Sequence, residues 1–519
     1  MALDTPRAAE ATASSKETNK LRLLVFIVAY NAEKTIEGVL SRIPPELSET
    51  CEVEVLVIDD ASTDSTIDQT EAVRRDGSMR FPLHVLLNPV NQGYGGNQKI
   101  GYHFAITNGF EAVALLHGDG QYAPERLPDL VRPIAEGRAD AVFGSRMLAK
   151  GSARSGGMPL YKFVGNRVLS TFQNRVLGTE FSEFHCGYRV YSVEALRRIP
   201  FDLNTNDFHF DTEIIIQLLY AGQQIEEVPI PTYYGDEICH VDGVKYAGHV
   251  ARSTLKARVQ DLGLLYDRRF DVGEQQDAQH SSKLSYDSPH KATLEMVERG
   301  ARVLDLGCAG GYLGAELRNR GCFVVGVDLY PLQEGVELDR FIRHDLNAGL
   351  PDIAVADFDY VLLLDVVEHL REPEQFVEEL ASATGRAPGV RIIVSTGNVA
   401  FAVTRLMLML GQFNYGKRGI LDMTHTRLFT FSTLRRLFEG AGFRFLECRG
   451  IPAPFPLALG ESRMSRALLA ANQVGNRFWK RLFAYQIFAV AQPPPTLAGL
   501  LEQARVHSAA RANDSVNGA

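Results

Sequence analysis

The stretch Ala112-Val-Ala-Leu-Leu-His-Gly-Asp-Gly-Gln-Tyr122 decides the fold of the first half of the chain. Its apolar run is typical of a buried β-strand, and it stops abruptly at small, polar, oxygen-bearing residues. In an open parallel α/β sheet the ligand crevice lies at the carboxyl ends of the strands, so Asp119 and Gln121 are expected at that crevice. Asp119 is therefore a candidate ligand for a hard divalent cation that bridges a diphosphate. The alternative interpretation is a tight turn that needs Asp and Gly for its geometry alone.

The first apolar run of the chain, Leu21–Ala29, follows the same pattern. It ends at Tyr30-Asn31, and residues 33–41 then have helical spacing, which predicts a β-α unit.

Two further runs also end in polar residues. Residues 53–58 end at Asp59-Asp60, whose carboxylates can accept hydrogen bonds from ribose hydroxyls or a base N–H, although a helix cap is the alternative. Residues 83–87 lead into a glycine-rich turn at 91–99, which predicts backbone N–H groups that approach an anion, with a flexible turn as the alternative.

Length and composition limit the function classes. A chain of 519 residues is too long for one core, and roughly two to four domains are expected. The formal net charge of −9 argues against an obligatory nucleic-acid partner. The six cysteines have neither a C-x-x-C pair nor metal-ligand spacing, which argues against disulfides and zinc and fits a reducing cytoplasm. The oligomeric state stays open.

No segment indicates export or membrane insertion. Residues 1–20 lack the apolar core of a secretory signal and are predicted to be a disordered leader. Residues 398–410 are interrupted by Arg405 and fall short of the ~20 apolar residues that a membrane span requires. We therefore expect a cytoplasmic protein without a transmembrane segment, with peripheral membrane contact left open.

From about residue 21 to 260 the chain resembles the family 2 glycosyltransferases, most closely the dolichol-phosphate mannose synthase type. The resemblance rests on motifs in the correct order: Ala29-Tyr30-Asn31, Asp59-Asp60-Ala-Ser62-Thr-Asp64, the glycine turn from Asn91 to Lys99, Asp119-Gly-Gln121 and Gly144-Ser145-Arg146. It implies a GT-A-type sheet domain that binds a nucleotide-sugar donor. The implied donor-binding residues are Ala29, Tyr30, Asn31, Asp59, Asp60, Lys99, Gly144, Ser145, Arg146 and Arg189.

The same resemblance implies Mg²⁺ or Mn²⁺ at Asp119 and Gln121. His117 stands where the family has the first acid of its metal motif; imidazole can ligate Mn²⁺, or His117 is a bystander. Asp211 is the candidate base if the acceptor is a hydroxyl, whereas a phosphate acceptor needs none. A single in-line displacement would invert the anomeric configuration.

A second motif set begins at residue 301. A strand, a glycine-rich turn and a helix start carry Asp305, Gly307 and Gly311, and a second strand over residues 323–327 ends in Asp328. An acid at that position can accept both hydroxyls of a ribose. The Gly-x-Gly-x-x-Gly string of dinucleotide-binding dehydrogenases is absent from this segment.

This segment, from about 285 to 495, resembles the class I S-adenosylmethionine-dependent methyltransferases. The resemblance rests on Asp-x-Gly-Cys-x-x-Gly, Asp328 and the string Asp365-Val-Val-Glu368-His369-Leu. It implies that S-adenosylmethionine is held by Asp305, Gly307, Gly311, Asp328, Asp345 and Asp365. Ala309 replaces a glycine of many members, and we expect binding to survive provided that its φ is below zero.

A polar loop at residues 419–427 is expected to cover the methyl acceptor. His425 in this loop is the candidate base that removes a hydroxyl proton during methyl transfer. The alternative is a structural histidine bonded to Asp422 or to backbone, and His369 carries a similar ambiguity.

The predicted architecture is α/β throughout, with a GT-A-type sheet domain followed by a Rossmann-like methyltransferase domain. Its segments are a leader at 1–20, a glycosyltransferase domain at 21–268, a linker at 269–289, a methyltransferase domain at 290–495 and a tail at 496–519. Further strands are predicted at 139–143, 224–234, 390–395, 443–449 and 483–491, the second of these at a sheet edge because of its prolines.

These expectations describe a bifunctional enzyme: inverting, metal-dependent sugar transfer from a nucleotide-sugar, and methyl transfer from S-adenosylmethionine within one glycan or glycoconjugate pathway. The first alternative is a polyprenyl-phosphate glycosyltransferase at a membrane surface with an independent methyltransferase. The second is that one half is an inactive binding or scaffold module.

Overall fold

The computed structural model describes residues 20–149, 152–232, 242–261, 265–272, 284, 286–384, 389–456, 462–493, 501 and 505. The predicted leader and C-terminal tail lie almost wholly outside these residues, as does much of the predicted linker. The chain divides into two compact units, Met1–Arg258 with Asp267–Gly273, and Val259–Tyr266 with Glu274–Ala519.

The first unit is built on a sheet of seven strands in the order β3-β2-β1-β4-β6-β5-β7. The strands are β1 (Leu21–Ala29), β2 (Cys51–Asp59), β3 (Leu83–Leu87), β4 (Ala112–His117), β5 (Ala141–Ser145), β6 (Arg189–Ser192) and β7 (Ile225–Pro229). Only β6 runs antiparallel to its neighbours β4 and β5. The chain order reverses between β1 and β4, so their carboxyl ends flank the crevice where such sheets bind ligands.

The burial of β1 on both faces fits its place as an interior strand of this sheet. Leu23, Val25 and Ile27 face one apolar cluster, whereas Leu24 and Phe26 face a second one on the opposite side. Because both faces are covered, the strand is apolar along its whole length.

The second unit repeats the architecture with the order β10-β9-β8-β11-β12-β14-β13. Its strands are β8 (Arg302–Leu306), β9 (Phe323–Asp328), β10 (Arg340–Arg343), β11 (Tyr360–Leu364), β12 (Arg391–Gly397), β13 (Arg444–Ile451) and β14 (Gln486–Gln492). β14 is antiparallel to both of its neighbours. The order reverses between β8 and β11, which places the glycine-rich turn and Asp365 at the ligand-binding crevice of this sheet.

Helices cover the sheets. The α-helices are α1 (Ile36–Ser41), α2 (Leu47–Thr50), α3 (Thr66–Asp76), α4 (Tyr94–Thr107), α5 (Leu127–Ala135), α6 (Ser152–Ser155), α7 (Leu160–Leu177), α8 (Val193–Arg197), α9 (Phe210–Tyr220), α10 (Gly243–Asp261), α11 (Pro289–Met296), α12 (Tyr312–Asn319), α13 (Pro373–Thr384), α14 (Ala402–Met409), α15 (Phe431–Gly440) and α16 (Arg463–Phe483).

The predicted strands are found, some with shifted ends. β1 and β3 match their predicted ranges, and β7 lies at a sheet edge as its prolines predicted. The strand predicted from residue 483 begins instead at Gln486, because Phe483 ends α16. No helix within the described residues is both long and apolar enough to cross a bilayer.

Candidate functional site

Asp119 lies at the tip of β4, directly beside the tip of β1. The amide of Gly118 donates to the carbonyl of Val28 (2.9 Å), and the hydroxyl of Thr35 donates to the carbonyl of Gly118 (2.6 Å). The Asp119 carboxylate is partly exposed, and its Oδ1 accepts the amide of Gln121 at 3.0 Å. The acid therefore faces the crevice rather than the packed core, on a turn that two neighbouring elements hold.

His117 lies just below Asp119, among aromatic side chains. Its ring is 5.5 Å from that of Tyr94 and 4.9 Å from that of Tyr122. Gly187 closes the pocket, since a Cβ there would lie 2.7 Å from the His117 ring. Burial lowers the pKa of His117 despite the nearby carboxylates of Asp119 and Asp211, so the imidazole is neutral near pH 7.

Tyr94 connects His117 to Asp211. Its hydroxyl donates to Oδ2 of Asp211 at 3.0 Å and lies 3.3 Å from Nε2 of His117. Burial raises the pKa of Tyr94 well above its ordinary value, so the phenol keeps its proton. With that proton directed to Asp211, His117 must donate from Nε2, which leaves the lone pair on Nδ1.

Asp211 and Arg189 form a buried ion pair. Asp211 is buried, is 3.7 Å from the Arg189 guanidinium, and accepts a weak hydrogen bond from Gln98 at 3.4 Å. Arg189 is itself buried and donates to the carbonyls of Cys186 (2.7 Å) and Phe184 (2.9 Å). Arg189 therefore positions Asp211 in the structure. The family resemblance had implied that Arg189 binds the donor.

The Asp60 carboxylate fixes the start of the glycine-rich turn by accepting hydrogen bonds from its amides. Oδ1 accepts hydrogen bonds from the Asn88 side chain (2.7 Å) and the Gln92 amide (2.8 Å), and Oδ2 accepts the Gly93 amide (3.0 Å). The amide of Gly95 donates to the carbonyl of Asn206 at 2.8 Å. The expected anion cradle is therefore wrong for the amides of Gln92, Gly93 and Gly95, because protein oxygens already accept from them.

Lys99 and Asp59 are also engaged by the protein. Nζ of Lys99 donates to the carbonyl of Asn204 and to Oδ1 of Asn206 (2.8 Å). Oδ1 of Asp59 accepts the amide of Ser62 at 2.7 Å, whereas its buried Oδ2 has no hydrogen-bond partner in the described part of the chain. Lys99 thus fixes the 204–206 loop by hydrogen bonds. The Oδ2 atom of Asp59 remains available as a hydrogen-bond acceptor.

The tips of β1 and β2 both carry left-handed backbone. Asn31 has φ 50° and Ala61 has φ 60°, and non-glycine residues rarely adopt this region. The Asn31 amide donates to the Ser62 hydroxyl (2.9 Å), and its side chain accepts the amide of Thr63 (2.9 Å). Tyr30 is half-exposed between these tips, so its ring is available to a planar ligand.

The segment Gly144-Ser145-Arg146 ends β5 and is fixed by a buried acid. Arg146 forms an ion pair with Glu183, whose side chain has no exposed surface and which also accepts from Asn166 (2.7 Å). The Ser145 hydroxyl accepts the amides of Met147 and Leu148, each at 3.1 Å. Gly144 packs closely, because a Cβ there would lie 3.1 Å from Ile230.

In the second unit, Asp328 organises the glycine-rich turn after β8. Its Oδ2 accepts the amide of Ala309 (2.8 Å) and its Oδ1 accepts that of Tyr330 (3.0 Å). Gly307 and Gly311 have φ of 80° and 81°, as tight turning requires. The condition set for Ala309 is not met, since its φ is +48° and not below zero. The alanine adopts a glycine-like conformation because its amide must reach Asp328.

Four carboxyl groups lie at the crevice of this sheet, in the pairs Asp305 with Asp328 and Asp365 with Glu368. Burial and the neighbouring Asp328 raise the pKa of Asp305 to about 7. Burial and the neighbouring Asp365 raise the pKa of Glu368 to about 8. Oε2 of Glu368 is buried without a hydrogen-bond partner among the described residues. Such a cluster suits a ligand that carries positive charge.

Asp365 and Asp345 are placed differently. Asp365 has φ 57° at the tip of β11, and its Oδ1 accepts from Ser395 (2.8 Å) and Gln486 (2.9 Å). Asp345 is exposed and caps a short helical turn by accepting the amide of Asn347 at 2.9 Å.

His425 lies in the polar loop that the Glu368 backbone holds. The carbonyl of Glu368 accepts the Thr426 amide (2.8 Å), and Nδ1 of His425 lies 3.0 Å from the carbonyl of Ile420. A carbonyl only accepts, so Nδ1 donates and Nε2 carries the lone pair. Burial lowers the pKa of His425, which keeps the ring neutral. The ring contacts His369 at 4.8 Å between centroids.

Sequence reasoning missed three residues that shape these sites. Tyr94 was hidden inside the glycine-rich turn, although a lone aromatic hydroxyl among glycines was a signal. Gln98 lay within the quoted 91–99 motif and Glu183 outside the quoted motifs, and neither had a predicted role, because each acts on a partner far away along the chain.

Two family models match the chain. The model described as Glycosyl transferase family 2 matches residues 24–200, and the one described as Methyltransferase domain matches residues 279–447. They fall on the first and the second sheet, and the predicted combination of two transferase domains is confirmed.

Three curated relatives illustrate the similarity. An uncharacterized protein of Methanocaldococcus jannaschii is 30% identical over 218 residues, which cover 42% of this chain and 84% of that protein. The undecaprenyl-phosphate mannosyltransferase of Micrococcus luteus is 29% identical over 211 residues, 40% of this chain and 83% of that protein. The ubiquinone biosynthesis O-methyltransferase of Aeromonas salmonicida is 29% identical over 167 residues, 29% of this chain and 66% of that protein.

Proposed function

Because this chain belongs to glycosyl transferase family 2 and also carries a methyltransferase domain, we propose that it is a bifunctional enzyme. Its first domain transfers a sugar from a nucleotide-sugar to a polyprenyl phosphate, and its second transfers a methyl group to an oxygen. The observation that supports the sugar transfer is the position of Asp119, which is partly exposed beside the tip of β1 where the strand order of the first sheet reverses.

The donor would lie across the tips of β1, β2 and β4. Tyr30 offers an exposed ring, and the unused Oδ2 of Asp59 can accept from a base or ribose. Asp60 acts indirectly, by holding the turn that lines the crevice.

Asp119 is the residue that would hold Mg²⁺ or Mn²⁺, with Nδ1 of His117 and the Gln121 side chain as further candidates. A hard, partly exposed carboxylate fits such an ion, which when bound neutralises charge on a diphosphate leaving group. Among the described residues no two other His, Cys, Asp or Glu ligands group with Asp119, so donor oxygens and water would complete the coordination.

The surroundings of Asp211 favour a phosphate acceptor. Its carboxylate is buried and engaged by Tyr94, Gln98 and Arg189, whereas a general base needs reach to the acceptor proton. A phosphate is already an anionic nucleophile and attacks the anomeric carbon without proton removal, in one inverting displacement. The named acceptor of the Micrococcus luteus relative agrees with this choice.

For the methyl transfer, Asp305, Gly307, Gly311, Asp328 and Asp365 would hold S-adenosylmethionine. The cluster of Asp305, Asp365 and Glu368 carboxyls fits its ammonium and sulfonium charges. When bound, the cofactor supplies an electrophilic methyl group. Nε2 of His425 takes the proton from the acceptor hydroxyl, while the bond from Nδ1 to the Ile420 carbonyl fixes the ring.

A donor screen scored by nucleotide diphosphate release tests the first activity. We expect release with undecaprenyl phosphate and a divalent cation, and a fall in kcat of roughly 10²- to 10³-fold in Asp119→Asn. Asp68→Asn on the exposed face of α3 is the matched control and should keep full activity. Transfer to soluble glycans alone would contradict the proposed polyprenyl-phosphate acceptor. An unchanged rate in Asp119→Asn would contradict the proposed role of Asp119 in sugar transfer.

A further inference from the structure

A second group of ion-binding side chains lies outside the residues assigned above. Asp207, His209 and His249 each offer one ligand atom, and these three atoms lie within 4.8 Å of one another. Nδ1 of His249 is 3.8 Å from Oδ2 of Asp207, and the two imidazole rings are 4.7 Å apart at their centroids. It is the one such trio of His, Cys, Asp or Glu residues in the described ranges.

The surroundings of His209 leave one of its nitrogens unused. Nδ1 is buried and has no hydrogen-bond partner within the part of the chain that the structure describes, although buried polar atoms normally find one. The nitrogen Nε2 of His209 lies 4.0 Å from a carboxylate oxygen of Glu213, so the protein engages the opposite side of the ring.

We propose that Asp207, His209 and His249 form a binding site for a borderline divalent cation of the Zn²⁺ class. Two imidazoles and one carboxylate suit Zn²⁺, Co²⁺ or Ni²⁺, whereas Mg²⁺ prefers oxygen ligands and water. Two ligands at about 2.1 Å from one ion are at most about 4.2 Å apart, so side-chain closure of roughly 1 Å completes the site. The side chain of Asp207 is 48% exposed, which gives the ion an entry path and leaves a position for water.

The site would join two helices of the first unit. Asp207 and His209 immediately precede α9, and His249 lies in α10. The hydroxyl of Ser253 on α10 already donates to Glu213 on α9 at 3.1 Å. Asp211 follows His209 by two residues, so the ion would position the start of the helix that carries this acid. Its role would be structural, because it links the start of α9 to α10.

Metal binding to the untagged full-length chain tests the proposal. We expect equilibrium dialysis with Zn²⁺ in excess Mg²⁺ to give a site that His209→Ala or His249→Ala weakens by more than roughly 100-fold, beyond what loss of an outer-shell partner causes. Co²⁺ should give visible d–d absorption in the wild type that these variants lose. His103→Ala, which removes an exposed histidine of α4, is the matched control and should leave affinity and spectrum unchanged.

A second readout keeps the test independent of folding defects. Zn²⁺ should raise the Tm of the wild type but not that of His249→Gln or Asp207→Asn, both at exposed or half-exposed positions. Asp119→Asn should keep the Zn²⁺ site, which separates it from the donor site. Wild type that binds no Zn²⁺, or His249→Gln with wild-type affinity, would overturn the proposal.

Discussion

Ala309 shows how one amide can impose strain on its own residue. Its φ of +48° is held by the hydrogen bond to Asp328, and a Cβ is unfavourable in this region by roughly 1 kcal/mol or more. We expect Ala309→Gly to raise the unfolding free energy of the methyltransferase domain by about 1 kcal/mol, less the entropy that glycine adds to the unfolded chain. The measurement is the shift of the thermal transition that S-adenosylhomocysteine stabilises.

Ala315→Gly, inside helix α12, is the matched control for this substitution. It should lower the same transition by about 0.5–1 kcal/mol, because the helix there needs no left-handed backbone. A decrease of similar size in both variants would contradict the strain at Ala309.

Protonation of Asp305 and Glu368 should oppose cofactor binding. Their pKa values lie at about 7 and about 8, so both are largely protonated at pH 6, and a cationic ligand favours the ionised forms. Affinity for S-adenosylmethionine should therefore rise from pH 6 to pH 8, with proton release on binding. Calorimetry in buffers of different ionisation enthalpy measures that release.

Asp305→Asn removes one of the two titrating groups and should flatten the pH dependence while it weakens binding overall. An affinity that does not change from pH 6 to pH 8 in the wild type would contradict this reading of the carboxyl cluster.

At this scale the sequence predicts where a side chain lies better than what it touches. Asp119 could be placed at the crevice because the end of a buried strand is visible in the sequence. The partners of Lys99 could not, since they lie in the 204–206 loop more than a hundred residues later. The roles of Asp60 and Arg189 were hidden for the same reason, since Asp60 accepts the amide of Gln92 and Arg189 pairs with Asp211, and both partners are distant in the sequence.

Strand β5 depends on a buried ion pair at its end. The Arg146 side chain is only 11% exposed and its partner Glu183 not at all, so removal of the acid leaves a buried cation poorly compensated. We expect Glu183→Gln to lower the unfolding free energy of the first unit by about 3 kcal/mol, measured as a loss of Tm of that unit.

Glu136→Gln provides the comparison, because its partner Arg138 is half-exposed. A surface pair is worth about 0–1 kcal/mol, so little change is expected there. Equal effects in the two variants would show that burial of the Arg146 pair is unimportant.

The elements themselves were largely predictable where burial on both faces produces a long apolar run, as in β1. The edge strand β3 was also predicted, because its residues are apolar although Leu86 and Leu87 are exposed. Short strands such as β6 and β10 have four residues each, too few for a periodic signal. Helix α16 was not predicted. Its buried residues, Ser465 and Asn472, are polar, whereas Met464, Phe478 and Trp479 are exposed.

At the scale of the whole molecule, each sheet carries its own crevice, and we propose a separate reaction for each. We expect Asp119→Asn to lower sugar transfer by roughly 10²- to 10³-fold and to leave S-adenosylmethionine binding intact. His425→Ala should lower methyl transfer by roughly 10²- to 10⁴-fold and leave nucleotide diphosphate release unchanged. Paired assays on the two variants measure this, and a variant that lost both activities while folded would contradict separate sites.

The order of strands was predictable only through family resemblance. Chain order alone leaves open which neighbour each strand takes. In the structure the strand order of the two sheets reverses between β1 and β4 and between β8 and β11. Pairing across a sheet is decided by contacts between distant segments, so it leaves little trace in local composition.

The hydrogen bonds between Asp60 and the glycine-rich turn affect how a ligand enters the first crevice. The amides of Gln92 and Gly93 already donate hydrogen bonds, so this turn has little conformational entropy left to lose when a ligand binds. The nucleotide would therefore bind to a preorganised surface. Association should then need no ordering step in this loop, and the heat-capacity change of binding would report desolvation of the crevice instead of coupled folding.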